Sequence, residues 1–556
     1  MAPALCLLGA IAATWPLVFH MSLAIPLGTE REATVPLFNL WILWWTSDRV
    51  SHGFSSYWNA PIFYPNEGVF TYSEPQPLTG LMVSPLWALG FPPALAYNCA
   101  LLLILTLNGW FAYRLLRALR LPPFAAALGG LFIVTLPFIA KVLGVLPMLP
   151  VFGALWTFEG LVRFSQTRRL GHALWACAGY VAQFLTSQQL ALLGAPWVAG
   201  AGLMTVWLLR DDRRAVGKLV LAALLWVALI APLATQILSF HSSLEFERPF
   251  DVVAALSAKP SDFFTRPATA SLSIPPREST DGDTAGLFPG LFVLLLAAWG
   301  FSLALQHAEQ RPWVLLFGAM IIGSSVLALG LNVSIGGWHP FWTLKNLIPG
   351  FSQLRSPFRF ALFTQLGLCL LAPVALARLK EWPLRSAGMV LAMTLGILAA
   401  VENMAVPAPL VQIPATPRTE WTAWLKSRQE AAIVAHIPFP SGRHVSHYEI
   451  EAWRLFAQID HNKPLINGYS GFFPPGYLRF QADMAREFPS LPLLCLMTKN
   501  LHVTTLAIDQ SWLVIHRESI SGFDRFVRLV HDDKAVALYR LDVPSSACDS
   551  EPIKDP

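Results

Sequence analysis

The sequence predicts a mainly α, polytopic membrane protein of about 11 transmembrane helices, closed by a C-terminal extracytoplasmic α/β domain. Three observations predict it. Charged residues make up only 13% of the 556 positions against 54% hydrophobic ones, and the mean hydropathy is +0.50. A soluble chain devotes about a quarter of its residues to charge. The apolar residues gather in runs of about 20, enough to cross a hydrocarbon core of roughly 30 Å as helices. The stretch 405–556 instead alternates helix and strand patterns.

The expected spans lie at roughly 4–26, 94–117, 122–140, 146–163, 171–188, 189–209, 217–239, 287–305, 312–331, 358–378 and 385–404. The first lacks the basic n-region of a signal peptide and reads as a retained span. Basic clusters orient the rest. Arg114, Arg117 and Arg120 follow the second span; Arg163, Arg168 and Arg169 follow the fourth. Arg210, Arg213, Arg214 and Lys218 follow the sixth, Arg311 the eighth, and Arg378, Lys380 and Arg385 the tenth. All are cytoplasmic if the N-terminus is inside, which places the C-terminal domain outside. The net charge of +5 sits in these short clusters, so no nucleic-acid partner is expected.

Two segments are apolar without spanning. "LTGLMVSPLWALGF", Leu78 to Phe91, is short, contains Pro85 and suits a re-entrant or interfacial helix. In "PLFNLWILWWTSDRV", Leu37, Leu40, Trp41, Trp44 and Trp45 share a face, as in a helix lying at the headgroup level. The transmembrane domain then occupies 1–404, with a first outer loop 27–93 and further outer loops 240–286 and 332–357. The second loop is rich in Pro, Ser and Thr and reads as a mobile flap.

In the domain 405–556, "AAIVAHIPF", "HVTTLAI", "RFVRLVH" and "AVALYRL" read as strands and "HYEIEAWRLFAQID" as an amphipathic helix. "NGYSGFFPPGY", Asn467 to Tyr477, is its most conspicuous loop. Of 6 cysteines, Cys6, Cys99, Cys177 and Cys369 fall in spans, whereas Cys495 and Cys548 could pair in an oxidising space.

No HExxH, GxSxG, Walker loop or Gly-rich dinucleotide fingerprint is present, so ATP-driven transport has no engine here. His436, His444, His447 and His461 lack metal-ligand spacing. Chemistry concentrates on the outer face. The first loop carries Glu30, Glu32, Asp48, Glu67 and Glu74 together with Asn39, Tyr64 and Tyr72. A carboxylate partly desolvated at a membrane boundary is placed to act as a general base, or else simply solvates the loop. "NLIPGFSQLRSPFRFAL" carries Lys345, Arg355 and Arg359. Arginine forks onto phosphate oxygens, so these residues suit a lipid-linked phosphate, the alternative being headgroup snorkelling.

The order "VPLFNLWILWW", "APIFYP", "SEPQP", a short apolar helix, "AYNCALLLILTLNGWFAYRLLR", "LFPG", "IPGFSQLRSPFRFAL" and "PLINGYSGFFPP" resembles a bacterial family of multispanning proteins related to the GT-C glycosyltransferase superfamily. The resemblance runs over most of the chain. It implies a GT-C-like fold in the bacterial cytoplasmic (inner) membrane and transfer of a sugar from a polyprenyl-phosphate donor. The acceptor it implies is an extracytoplasmic glycan, lipid or protein. It implies a catalytic acid among Glu30, Glu32 and Glu74. Asn39, Tyr64, Tyr72, Arg355, Arg359 and Tyr469 would bind substrate, with a divalent cation (Mg or Mn) as a candidate assistant. Many relatives carry an Asp directly before the Pro-Leu-x-Asn sequence, where this chain has Val35. Two other readings stay open: a transporter or flippase of a lipid-linked glycan, and a non-catalytic glycan-binding or assembly protein.

Overall fold

The computed structural model describes residues 2–243, 248–267, 269–271, 283–381, 385–428 and 432–548. Part of the expected flap, 244–247, 268 and 272–282, lies outside the described residues.

Among the described residues, six helices are long and apolar enough to cross a membrane: Pro93–Ala118, Pro123–Lys141, Gln188–Leu208, Arg213–His241, Arg311–Ala328 and Pro357–Leu379. Several open on a proline, whose missing N–H removes nothing at a first helical position. The other five expected segments also hold helices, Ala2–Ala13, Phe152–Thr167, Leu170–Thr186, Leu291–Ala304 and Arg385–Glu402, which are 12, 16, 17, 14 and 18 residues long. The first segment departs from expectation. Its helix stops at Ala13, Pro16 follows, and Ala24–Pro26 forms strand β1, antiparallel to β2, Leu410–Gln412. Backbone hydrogen bonds thus stitch the start of the first loop to the start of the C-terminal segment.

The five basic clusters gather at one end of the helical bundle. Arg120 pairs with Glu309, and Gln310 donates to the Leu119 carbonyl at 2.8 Å. Gln166 donates to the Ala118 carbonyl at 2.9 Å, and Arg168 meets Asp212 at 3.3 Å. Lys380 lies 6.0 Å from the Phe124 ring. Amides inside the bundle serve helix ends: Asn108 Oδ1 accepts from the N–H groups of Val151 and Phe152, both at 2.9 Å. Gln183 caps Ala154 and Gln365 caps Phe138 in the same way. Unpaired backbone groups are costly in lipid, so these amides are structural.

The tryptophan-rich helix, Thr34–Ser51, is not a surface helix. Nearly all its residues from Thr34 to Ser47 are buried. Leu37 and Leu40 join the core of the helical bundle, whereas Trp41, Trp44 and Trp45 join a second core built from the C-terminal segment. The residues expected to share one membrane-facing side are divided between two cores because the C-terminal segment covers the helix. Trp41 Nε1 donates to Gln458 Oε1 at 2.8 Å, satisfying a group that headgroups would otherwise have served. Leu78–Phe91 forms the short helix Pro77–Ala88.

The C-terminal segment holds a four-stranded sheet in the order β3-β4-β6-β5. Its strands are β3 Val434–Ile437, β4 Thr505–Asp509, β5 Val527–Asp532 and β6 Val536–Leu541. β3 runs parallel to β4, and the other pairs are antiparallel. The helix Glu449–His461 packs against Thr34–Ser51. Cys495 and Cys548 are joined in a disulfide.

Candidate active site

Glu30 follows a turn that presses on the bundle. Gly28 adopts φ +62°, and a Cβ there would meet the Lys141 carbonyl oxygen at 2.6 Å. A Cβ on Gly144 would meet the Leu27 carbonyl oxygen at 2.3 Å, so two glycines permit this approach. Thr29 then donates its N–H to the Lys141 carbonyl at 2.9 Å, and Glu30 emerges half-buried.

Glu74 is fixed from two sides. Thr46 donates to the Pro75 carbonyl at 3.2 Å, and Gln76 Nε2 donates to Asn39 Oδ1 at 2.9 Å. The carboxylate reaches the N-terminus of helix Gln188–Leu208, where Ser187 is the N-cap. There the Gln189 N–H donates to Glu74 Oε1 at 2.8 Å, while Oε2 is closed to solvent and has no hydrogen-bond partner among the described residues.

Arg359 comes from the first turn of the span Pro357–Leu379, and its Nη1 donates to Gln189 Oε1 at 2.6 Å. Gln189 therefore touches both Glu74 and Arg359. Arg248 adds a second cation: Nη2 donates to the Gly471 carbonyl at 2.8 Å, and the guanidinium lies 3.6 Å from the Phe472 ring centre.

The electrostatics tie these groups together. Burial holds the Glu30 carboxyl above its usual range, and Asp283 adds to the rise, while Arg359 and Arg355 pull it back. Burial pushes Glu74 up to about 7, against the Gln189 N–H, the Ser187 hydroxyl and Arg359. Burial also lowers Arg248 to about 9, with Arg355 and Arg359 adding like-charge repulsion. Tyr469 is pushed up to about 12 by burial and is sensed by Arg355, Glu30 and Arg248. Acids and guanidinium groups remote in sequence thus share one electrostatic neighbourhood.

Beside them opens a cavity of about 440 Å³, whose lining includes Arg248, Arg355, Tyr448, Tyr469 and Phe472. The other expected residues fall around it. Glu32 acts on the cluster through Glu30. Asn39 is buried, with its amide bonded to the Val35 carbonyl and to Gln76, so it holds the loop together. Tyr72 is a buried wall residue whose carbonyl accepts from the Phe472 N–H at 3.0 Å. Tyr64 lies on the stretch that hydrogen-bonds to Leu465, and no described interaction joins it to the charged cluster. Val35 is half-buried at the start of the Thr34–Ser51 helix.

No group of three or more His, Cys, Asp or Glu among the described residues is arranged to hold a metal ion. Among the described residues the donor set does not fit a resident divalent cation, and no step below is routed through one.

Sequence reading missed Ser187, Gln189 and Arg248. The first two announce themselves only as "TSQQL" between two abutting apolar runs, a Ser N-cap signal followed by two amides. Arg248 stands just before a proline in a loop read as a flap.

The sequence model of a family described as a domain of unknown function, DUF6311, matches residues 41–400. The chain belongs to the DUF6311 family. No curated protein matches it. Among solved structures, arabinofuranosyltransferase AftD from mycobacteria is similar in fold, with a TM-score of 0.59 at 14% identity. That likeness covers 98% of this chain and 40% of AftD. Two particle classes of an AftD point mutant give TM-scores of 0.55 and 0.52 at 14% and 15% identity, covering 98% and 97% of this chain and 41% of AftD in each case. The DUF6311 chain therefore has a fold similar to that of AftD and spans about two fifths of AftD's length.

Proposed function

We propose that this DUF6311 protein is an inverting, membrane-embedded glycosyltransferase that moves a sugar from a polyprenyl-phosphate donor to an extracytoplasmic glycan, lipid or protein. The observation that carries this reading is the bridge from Glu74 through Gln189 to Arg359, with Arg248 and Arg355 adjacent. Three guanidinium groups that repel one another favour an anion, and a phosphate monoester or diester matches their forks. The donor cannot leave the bilayer, so the site belongs at its rim, where the spans Gln188–Leu208 and Pro357–Leu379 begin.

In the proposed reaction Glu30 is the base. Its carboxylate accepts no hydrogen bond among the described residues and lies within reach of the fields of Arg355 and Tyr469, which line the cavity. Glu74, with one oxygen held and the other closed off, positions Gln189 and Arg359 instead. The acceptor hydroxyl gives its proton to Glu30 as its oxygen bonds to the anomeric carbon. The bond from that carbon to the phosphate oxygen breaks, and the phosphate leaves with the electron pair, neutralised by Arg355, Arg359 and Arg248. About 11 spans, an inside N-terminus and an outer domain at 405–556 complete the arrangement. The disulfide supports an oxidising exterior for that segment. The structural use of Asn108, Gln183 and Gln365 weighs against a transporter with a polar path through the bundle.

The test is transfer by the purified chain in nanodiscs from radiolabelled pentosyl- and hexosyl-phosphoryl polyprenols. Label passing to an acceptor fraction, lost in Glu30→Gln, is the expected result. Transfer undiminished in both Glu30→Gln and Glu74→Gln refutes the mechanism.

A further inference from the structure

The proposed reaction uses the inner side of the arginine cluster and leaves the outer part of the cavity unexplained. Its remaining charged lining residues are Arg443 and Arg479, both exposed, on the segment before helix Glu449–His461 and in the first turn of helix Tyr477–Glu487. Among the described residues, no acidic one lines the cavity. Among the described residues, none of Arg248, Arg355, Arg443 and Arg479 forms an ion pair with a carboxylate, whereas other arginines of the segment do, such as Arg454 with Glu451 and Asp509. Four guanidinium groups with no carboxylate among the described lining residues repel one another until an anion arrives. Its size, about 440 Å³, falls within the range of pockets that hold small organic ligands.

The rest of the lining is aromatic. Tyr469, Phe472 and Phe473 are half-buried, and all come from the loop Asn467 to Tyr477. Tyr448, fully buried, backs them at ring distances of 5.3 Å to both Tyr469 and Phe473, with its hydroxyl anchored on Gln481 at 2.8 Å. Phe38, from the first outer loop, packs edge-on to Tyr469 at 5.2 Å. This is a braced aromatic wall, suited to the apolar C–H face of a sugar ring. Charge on the rim and aromatic faces within are the two halves of a site for a charged sugar.

We infer that this cavity is the acceptor subsite and that its ligand is an anionic glycan, a sugar bearing a carboxylate or a phosphate, with the ring against Tyr469 and Phe472 and the anion on Arg443 and Arg479. The inference rests on the glycosyltransferase reading for the word acceptor, but binding itself needs neither donor nor turnover. A chain that transfers nothing can still pass or fail the binding test, so the two failures are distinguishable.

The experiment measures binding calorimetrically to the full chain in phosphatidylcholine nanodiscs, with trigalacturonate, galactose 6-phosphate and neutral galactotriose as probes. Either or both anionic probes should bind about tenfold or more tightly than the neutral one, as charge-assisted hydrogen bonds imply. Binding of trigalacturonate alone assigns the anion as a carboxylate; binding of galactose 6-phosphate alone assigns it as a phosphate. The double variant Arg443→Ala/Arg479→Ala should lose that preference, and Arg443→Lys/Arg479→Lys should keep most of it. Equal affinity for all three probes, or a preference that survives the double alanine variant, overturns the inference. So does loss of sugar binding when phosphatidylglycerol is added to the disc, which would make the cavity a headgroup site.

Discussion

Glu74 and Arg359, from the first outer loop and the start of a late span, are coupled through one residue: Gln189 gives its N–H to the acid and its side-chain oxygen to the arginine. Gln189→Leu keeps the backbone donor and removes only the acceptor for Arg359. A hydrogen bond to a charged group contributes about 1.5–3 kcal/mol. The expected outcome is a donor KM raised roughly tenfold or more, with kcat changed less, because the freed guanidinium no longer meets phosphate in a fixed pose. Steady-state kinetics against lipid-linked donor check it. A fall in kcat at constant KM contradicts the positioning role.

In the proposed mechanism Glu30 acts on the proton rather than on the phosphate. Glu30→Gln is expected to lower kcat by about 10²–10⁴ with little change in donor KM. Its carboxyl is held above the usual range by burial, so the rate should fall as the pH drops through that raised value, at a higher pH than an exposed glutamate would give. A pH–rate profile of the intact protein, in which the acid limb moves when Asp283→Asn is introduced, checks the electrostatic origin. Removing the Asp283 charge should shift the limb to lower pH, since that charge contributes to the rise.

Glu74 links the site to stability. Its folded value of about 7 lies above the ordinary value of 4.5, so between those pH values the folded chain binds more protons than the unfolded one. Stability from this group is present below the unfolded value, falls as the pH rises through the window, and is level above about 7. Thermal unfolding in nanodiscs from pH 4.5 to 8 should show that slope, and Glu74→Gln should flatten it. An unchanged slope in the variant assigns the effect elsewhere.

The legible parts of this fold were those governed by local pattern. Hydropathy marked each helical segment, charge placed the five basic clusters on one end, and alternation marked β3 to β6. Pairings across the chain were not legible. The helix Thr34–Ser51 reads as an interfacial helix because its tryptophans suit a headgroup layer; only the presence of Gln458, more than 400 positions away, shows what covers Trp41. Likewise, strand β1 is too short to show a period and exists because β2 pairs with it. At the site, Glu30, Glu74, Arg355, Arg359 and Tyr469 could be nominated by residue type. Gln189 could not, because an amide at a helix start matters only through the two residues it happens to join.

The disulfide offers a test of which side the C-terminal segment faces. Cys495 and Cys548 are buried and 53 positions apart, and they tie helix Leu491–Lys499 to the last described turn. A cross-link closing a loop of that length restricts the unfolded chain by about 2–4 kcal/mol. Cys548→Ser should therefore make the segment 405–548 more sensitive to trypsin, while the helical bundle, with its separate core, keeps its melting behaviour. The same bond reports topology. Treating intact cells with a membrane-impermeant phosphine, quenching, then denaturing and labelling with maleimide should modify Cys495 and Cys548 only if the segment lies outside the membrane. Labelling that requires permeabilised cells would place the segment, and with it the arginine-lined cavity, on the cytoplasmic side, where a polyprenyl-phosphate donor presented at the outer leaflet could not reach Arg355.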